Sequence, residues 1–540
     1  MHNQIFSWGY SKKPNRWSSN WIDGLWIAGL LLAAVIIFGI NLGELPLRDW
    51  DEGIVAQVAR DIWRAPSGSW RWLYPTLEGN PYLNKPPLMH WLIALAYSIG
   101  GVNEWTSRLP GAILTAISVP LVYIIGREIF HQRLSAIFSA LVYLTMLPMV
   151  RHGRLAMLDG AVVCFFLLMV WCLLRSRRNL RYCLGVGIGF GLICLTKSIL
   201  GLLLGAIALL FLLWDTPRLL TSWYLWLGIL LGSVPVALWY AAQWWHYGQH
   251  FTDRAILDQS LSRIWLSVEN HQGPPWYYVL EILKYTWPWL IFLPSGLINT
   301  WKHRNWSWAK LILVWGGYLL TISVMRTKLP WYVLPIYPAI ALAIGLQLAE
   351  LWKQPLHATY SHFVVAFLTL IAVVSWVGSF YFSPWSSAPD GEVQLILAAV
   401  AVTMTFASIL AVRRDRQFLI VLIWGMYVSL LLFVTSHHSI WELAEAYPVK
   451  PVAALIQSRT PVGQKVYTSF AYNRPSLNFY SDRWVISAAI DKFDFQQYWL
   501  QHPHPYLLLD ESSLKNLQLK SVQQLGKAQG WTLITKSANH

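Results

Sequence analysis

Apolar runs of about 17 to 22 residues recur along most of this 540-residue chain, and no other feature restricts its fold as severely. A helix of that length rises roughly 30 Å, the thickness of a bilayer's hydrocarbon layer. Backbone that crosses lipid must satisfy its own hydrogen bonds, so a chain with many such runs folds as a bundle of spanning helices. Composition agrees, because 12% charged against 56% hydrophobic residues leaves too little polar surface for a soluble globule.

Thirteen spans are expected, at 22–42, 106–126, 133–150, 157–174, 182–196, 199–214, 223–243, 279–299, 309–325, 331–351, 361–381, 391–412 and 418–436. The stretch 88–101, LMHWLIALAYSIGG, is shorter, and the basic residues decide its place. If it lies flat at the outer interface, several basic clusters fall inside: Arg127 and Arg133; Arg175, Arg177, Arg178 and Arg181; Arg218; Lys302, Arg304 and Lys310; Arg413, Arg414 and Arg416. If it crosses, all of them fall outside. It is therefore read as interfacial, which places the N-terminus, with Lys12, Lys13 and Arg16, inside and the C-terminus outside. No small-residue cleavage site follows the first span, so it is read as a retained helix. The net charge of +15 then follows from topology and does not call for nucleic acid. Cys164, Cys172, Cys183 and Cys194 all lie in apolar runs without metal or redox spacing and read as core residues.

A transmembrane domain over 1–436 and an external domain over 437–540 are expected. The former carries a first external loop, 43–105, and a mobile external loop, 244–278. In the latter, strand-like KVYTSF, RWVIS and YLLLD alternate with helix-like PVAALIQSR, as in a small α/β unit. Within the first loop, EGIVAQVARDIW has the apolar spacing of a helix lying along the membrane surface.

On this topology Lys85, Arg151, Arg154, Lys197, Arg263, Arg326 and Lys328 are external, against the positive-inside trend. Snorkelling or local pairing accounts for any one of them, and a bound phosphate accounts for them jointly. Asp51 and Glu52 sit where the first span emerges. Asp51 reads either as the N-cap of the surface helix or as a general base whose neighbouring acid raises its pKa. Asp159 reads as an ion-paired structural acid or as a second catalytic acid.

The segments RDWDEG, GNPYLNKPPLMHWL, RHGRLAMLDG, LTKSILG, HQGPPWYY and KLPWYVLPIYPAIAL, in that order between about residues 45 and 345, resemble the motifs of bacterial aminoarabinose transferase-like enzymes. These are GT-C glycosyltransferases that use lipid-phosphate sugars, a superfamily shared with protein O-mannosyltransferases. The resemblance implies a GT-C fold of about thirteen spans with outer juxtamembrane helices and a small periplasmic C-terminal α/β domain. It marks Asp51 as the catalytic acid of the first loop, with Glu52 beside it, and Asp159 as the second acid. Tyr82 and Lys85 match a Y-F-E-K-P-P motif, Lys197 a T/A-K-G lysine and Arg263 the arginine of a mobile loop; Arg154, Lys328 and Tyr332 join them as substrate-binding residues. Where the family pattern has Glu before that lysine, this chain has Asn84, which cannot serve as an anionic metal ligand. His90, His152, His246, His250 and His271 lack ligand spacing, so no cofactor is expected.

The function implied is inverting transfer of a sugar from a polyprenyl (undecaprenyl) phosphate donor to a lipid A-like lipid, glycan or protein acceptor. It would occur at the periplasmic face of a bacterial inner membrane, in a monomer that contacts membrane lipid and no nucleic acid. A flippase of lipid-linked sugars has the same spans but carries ionisable groups near span centres. A ligase using a diphosphate-linked glycan shares the outer-face logic without this order of motifs.

Overall fold

The computed structural model describes residues 16–266, 271–354, 361–445, 447–491 and 494–537. Lys12 and Lys13, part of 244–278 and parts of the tail lie outside them. The helices run α1 Arg16–Gly39, α2 Asp51–Trp63, α3 Leu88–Gly100, α4 Glu104–Ile129, α5 Arg133–Leu144, α6 Leu147–Gly153, α7 Asp159–Arg175, α8 Cys183–Thr196, α9 Ser198–Asp215 and α10 Trp223–Tyr247. They continue as the short α11 Gln249–Phe251 and α12 Ser262–Trp265, then α13 Tyr277–Tyr285, α14 Leu293–Lys302, α15 Ser307–Val324, α16 Tyr337–Lys353, α17 His362–Tyr381, α18 Gly391–Val412, α19 Phe418–Thr435, α20 Val449–Arg459 and α21 Pro475–Ser481.

This is a multi-pass membrane protein: nine helices among the described residues are long and apolar enough to cross a bilayer. The other four expected spans coincide with helices of less regular form. Two are bent or broken: α5 and α6 meet at 58°, and α13 and α14 are separated by a 3-10 turn at Trp289–Phe292. The other two, α7 and α8, have 17 and 14 residues. Side chains of α7 from Asp159 to Leu174 are almost all buried, so protein rather than lipid surrounds that helix and sets its length.

The ends of the bundle carry different charges. At one end Asp23 accepts from Arg127 Nε at 3.1 Å and Arg133 Nε at 2.8 Å. Glu128 pairs there with Arg175 and Arg178, and Asp215 with Arg177 and Lys310. Arg127, Arg133, Arg175, Arg177, Arg178 and Lys310 belong to the clusters expected inside, and these ion pairs gather them on one face. At the opposite face, α3 begins with His90 against the Tyr82 ring and ends with the Tyr97 hydroxyl 2.6 Å from Ser107 Oγ in the first turn of α4. Both ends of α3 thus lie at one face, and its 13 residues rise only about 20 Å.

Glycines set the tightest crossing. Gly187 and Gly191 of α8 lie one turn apart, as do Gly228 and Gly232 of α10, and the two pairs face each other. A Cβ on Gly187 would stand 1.9 Å from the Gly228 carbonyl carbon, and one on Gly191 2.1 Å from the Gly232 oxygen. Without Cβ atoms the backbones approach closely, which supplies the packing that lipid-immersed helices cannot draw from the hydrophobic effect.

After α19 the chain builds a five-stranded sheet in the order β4-β3-β5-β7-β6. Two-residue strands in the first loop, β1 Thr76–Leu77 and β2 Asn80–Pro81, precede its members β3 Lys465–Thr468, β4 Trp484–Ser487, β5 Leu507–Asp510, β6 Val522–Ala528 and β7 Trp531–Lys536. Strands β4, β3 and β5 are parallel, while β7 runs antiparallel to β5 and β6. Val452, Ile456 and Leu477 of α20 and α21 cover one face around Val466, Val485, Leu508 and Leu533. Helix α21 in turn presses on α2, where Gly53 leaves room: a Cβ there would meet the Ser476 amide at 2.7 Å. The four cysteines are free and buried.

Gly187→Ala should cost about 1–3 kcal/mol or more through overpacking. Gly316→Ala, where nothing lies within 4 Å, should change stability by no more than about 1 kcal/mol. Thermal melts of the purified variants in detergent check this, and equal melting temperatures for the two would contradict the packing described.

Candidate active site

The segment RDWDEG forms a tight turn that enters α2. The Asp51 amide donates to the Asp49 carbonyl at 2.7 Å across Trp50, whose φ of +59° and ψ of −76° make a γ-turn of the rare, strained kind. Trp50, not Asp51, occupies the N-cap position, and no side chain caps there, so the capping role expected for Asp51 is absent. Such a turn persists only when its surroundings hold it, and here each side chain is tied. Asp49 accepts from Arg474 Nε at 2.8 Å and from the amide and hydroxyl of Ser476, all in the C-terminal unit. Arg48 is buried, lies over the Trp331 ring, and bridges Asp51 and Glu442, donating to Glu442 Oε1 at 2.9 Å. Glu442 also receives Arg151.

Glu52 is 0% exposed and accepts from Arg108 Nε at 2.8 Å, Arg108 Nη2 at 2.9 Å, the Arg48 amide at 2.9 Å and the Ala156 amide at 2.8 Å. Burial opposes its charge, but Arg108 and the two amides hold its pKa below the usual glutamate range. A carboxylate with both oxygens so occupied has no lone pair for substrate, which removes the catalytic role expected of Glu52. The Asp51 side chain instead keeps 28% exposure. Burial raises its pKa, and Asp159 adds to the rise, against the lowering effect of Arg48 and then Lys197.

Facing Asp51 is a group of cations. Lys197 is the single extended residue between α8 and α9; its Nζ lies 2.7 Å from Asp159 Oδ1 and 5.3 Å from the centroid of the Tyr332 ring. Arg263 donates from Nη1 to the Tyr332 hydroxyl at 3.2 Å and from Nη2 to Gln259 at 2.9 Å. Its segment is pinned by the amides of Arg326 and Thr327, which donate to the carbonyls of Ile264 and Arg263. Lys85 completes the group, close enough to Arg263, Lys197, Asp159 and Asp51 to sense all four charges. Its pKa is pushed down to about 7, first by burial and then by Arg263 and Lys197. Lys85, Lys197, Ser198, Tyr240 and Gln259 line one recess. Tyr82 is buried beside it, its hydroxyl pKa raised by burial and by Asp51.

Asp51, Asp159, Tyr82, Lys85, Lys197, Arg263 and Tyr332 are thus brought together from six separate segments. Two expected substrate-binding residues are not. Arg154 donates to the carbonyls of Ile37 and Ile40 and closes the C-terminus of α1. Lys328 donates to the Ile322 and Ser323 carbonyls, at 3.2 and 2.6 Å, and closes that of α15. Both satisfy terminal carbonyls. Asn84 accepts from Arg254 Nε at 3.3 Å. Among the described residues no three His, Cys, Asp or Glu side chains are grouped to hold a metal ion.

Comparison with known proteins places this sequence among lipid-phosphate-dependent sugar transferases. The sequence model of the dolichyl-phosphate-mannose-protein mannosyltransferase family matches residues 84–240. The chain is 27% identical over 341 residues to an undecaprenyl phosphate-alpha-4-amino-4-deoxy-L-arabinose arabinosyl transferase of Pseudomonas fluorescens, a match that covers 60% of each chain. It is 25% identical over 408 residues to the transferase of that name from Yersinia enterocolitica, over 70% of each. The fold is that of ArnT from Cupriavidus metallidurans bound to undecaprenyl phosphate, with a TM-score of 0.77 at 17% identity over 96% of this chain and 98% of that one. The resemblance to the aminoarabinose transferase-like GT-C family, carried by short motifs, therefore holds across the fold.

Lys85 generates a pH prediction. A lysine whose folded pKa is about 7 carries its charge below that pH and loses it above, so an anionic phosphate ligand should bind more weakly as pH rises from 7 to 9, in the limit roughly tenfold per unit. Lys85→Arg stays charged across the window and should flatten the profile. Titrating polyprenyl phosphate onto both proteins between pH 6 and 9 reads the difference; superimposable profiles would contradict the assignment.

Proposed function

We propose that this chain is an inverting glycosyltransferase that moves a sugar from an undecaprenyl-phosphate carrier to an acceptor hydroxyl, at the periplasmic face of a bacterial inner membrane. The observation that carries the reading is the pairing of one accessible carboxylate of raised pKa, Asp51, with a cluster of three cations at the same end of the bundle. A donor tethered in lipid by its prenyl tail can present its phosphate only at such an end.

In this mechanism Asp51 accepts the proton of the acceptor hydroxyl as its oxygen bonds to C1 of the sugar. The bond from C1 to the phosphate oxygen breaks on the opposite side, inverting the anomeric centre and releasing polyprenyl phosphate. Lys85, Arg263 and Lys197 stabilise the growing charge on the leaving phosphate. Asp159 holds Lys197 in place through the 2.7 Å ion pair, and Tyr332 positions both Lys197 and Arg263. The reaction uses no metal: Asp159 is committed to Lys197, and Asn84 supplies no anionic ligand. The protein acts as a monomer on a lipid, glycan or protein acceptor. Ion pairs at the two ends of the bundle favour transfer over transport, which calls for ionisable groups at mid-span.

Asp51→Asn keeps the shape of the side chain and removes the base, while Glu442 remains as a partner for Arg48. Turnover should fall about a hundredfold or more, with polyprenyl-phosphate binding and melting temperature nearly unchanged. Normal turnover by Asp51→Asn, with Asp159→Asn inactive, would transfer the role to Asp159.

A further inference from the structure

The bundle has a second basic recess, at the end opposite the site and unrelated to the transfer chemistry. An open cleft of about 830 Å³ is lined by Arg177, Arg218, Thr221, Ser222, Trp223 and Tyr224. Arg177 leads out of α7, and Arg218 and Thr221 belong to the 3-10 turn Pro217–Thr221 that joins α9 to α10. Ser222 is the N-cap of α10, a helix of 25 residues.

Three observations distinguish this cleft from ordinary positive charge at a membrane surface. Ser222 is 7% exposed, lines the cleft, and its hydroxyl neither caps α10 nor meets any other partner. Arg177 pairs through Nη2 with Asp215 at 2.7 Å, but its buried Nε has no hydrogen-bond partner. Arg218 is exposed, and of the two guanidinium groups that line the cleft Arg177 pairs with a carboxylate, Asp215, while no ion pair among the described residues involves Arg218. A buried hydroxyl and a buried N–H without partners are unfavourable, and an oxygen-rich anion drawn into the cleft would satisfy both. Ser222 stands at the N-terminus of α10, where a helix has amides without an intrahelical acceptor and the positive end of its dipole. Trp223 and Tyr224, with ring centroids 4.1 Å apart, form the wall. Such aromatic residues settle at the headgroup level of a bilayer.

We propose that this cleft binds the phosphate of an anionic phospholipid headgroup in the leaflet opposite the active site. The phosphate oxygens take Arg177 Nε–H, the Arg218 guanidinium and the Ser222 hydroxyl, and the acyl chains lie along the lipid-facing side of α10. The ligand chemistry is a phosphate diester of single negative charge.

Native mass spectrometry of the full chain in nonionic detergent, titrated separately with phosphatidylglycerol, phosphatidylcholine and inorganic phosphate, tests this. Phosphatidylglycerol should occupy one site per chain about tenfold more tightly than phosphatidylcholine, and the paired variant R218Q/S222A should lose about that factor. R218E, at an exposed position, should give the same loss alone, while R181Q, an exposed base outside the cleft, should not. Unchanged phosphatidylglycerol affinity in R218E and in a paired variant of parental melting temperature would overturn the site. Displacement of the lipid by equimolar inorganic phosphate would overturn the headgroup assignment and leave a site for free phosphate.

Discussion

One buried ion pair ties together the elements that make the site. Glu52 is the second residue of α2 and Arg108 lies in the second turn of α4; they are 0% and 2% exposed and share two hydrogen bonds of 2.8 and 2.9 Å. Arg108 spends its remaining N–H groups on the carbonyls of Leu42, Leu45 and Pro46, which carry the chain out of α1. Glu52 spends its remaining capacity on the amides of Arg48 and Ala156. A buried pair of this kind adds little net stability over an apolar pair of the same volume, but removing one partner costs about 3–5 kcal/mol. It acts through specificity, because only one arrangement of α1, α2, α4 and the segment before α7 satisfies all its bonds.

That arrangement separates two adjacent acids. Glu52 points inward to the framework, which leaves Asp51, one residue earlier and about 100° around the helix, as the carboxylate that faces the cations. The strained turn at Trp50 persists because the C-terminal unit grips Asp49 through Arg474 and Ser476, and because Glu442 holds Arg48 from beyond the last span. The sheet unit thus belongs to the site mechanically: its helix α21 rests on α2, and Tyr480 donates to Glu104 and accepts from the Leu47 amide. The γ-turn at Trp50 presents Asp51, and the break at Lys197 presents the cation opposite.

Much of this was legible in the amino acids, because the bilayer enforces simple rules. Length and charge bias placed the spans and kept 88–101 at one face, and the acids and cations that match the motifs meet in space. The misreadings have physical causes. Arg154 and Lys328 looked like spare external cations, yet helix ends offer carbonyls that sequence position does not reveal. Glu52 looked like a catalytic neighbour, but its partner lies 56 residues away. Arg48 stands in a motif whose acids carry the catalytic signal, and its second partner, Glu442, lies 394 residues on in a stretch without a motif. The glycines of GVGIGFG and GILLG carried a detectable signal, two pairs spaced by four, that a reading for hydropathy passes over.

The proposed chemistry turns on where the donor phosphate sits relative to Asp51. A structure of the full chain with undecaprenyl phosphate bound measures it directly. Phosphate oxygens should lie about 2.7–2.9 Å from Lys85 Nζ and the Arg263 guanidinium, with Asp51 open to the acceptor side. A phosphate lodged instead in the pocket lined by Arg48, Arg151 and Trp441 would contradict the assignment of both the cations and the base.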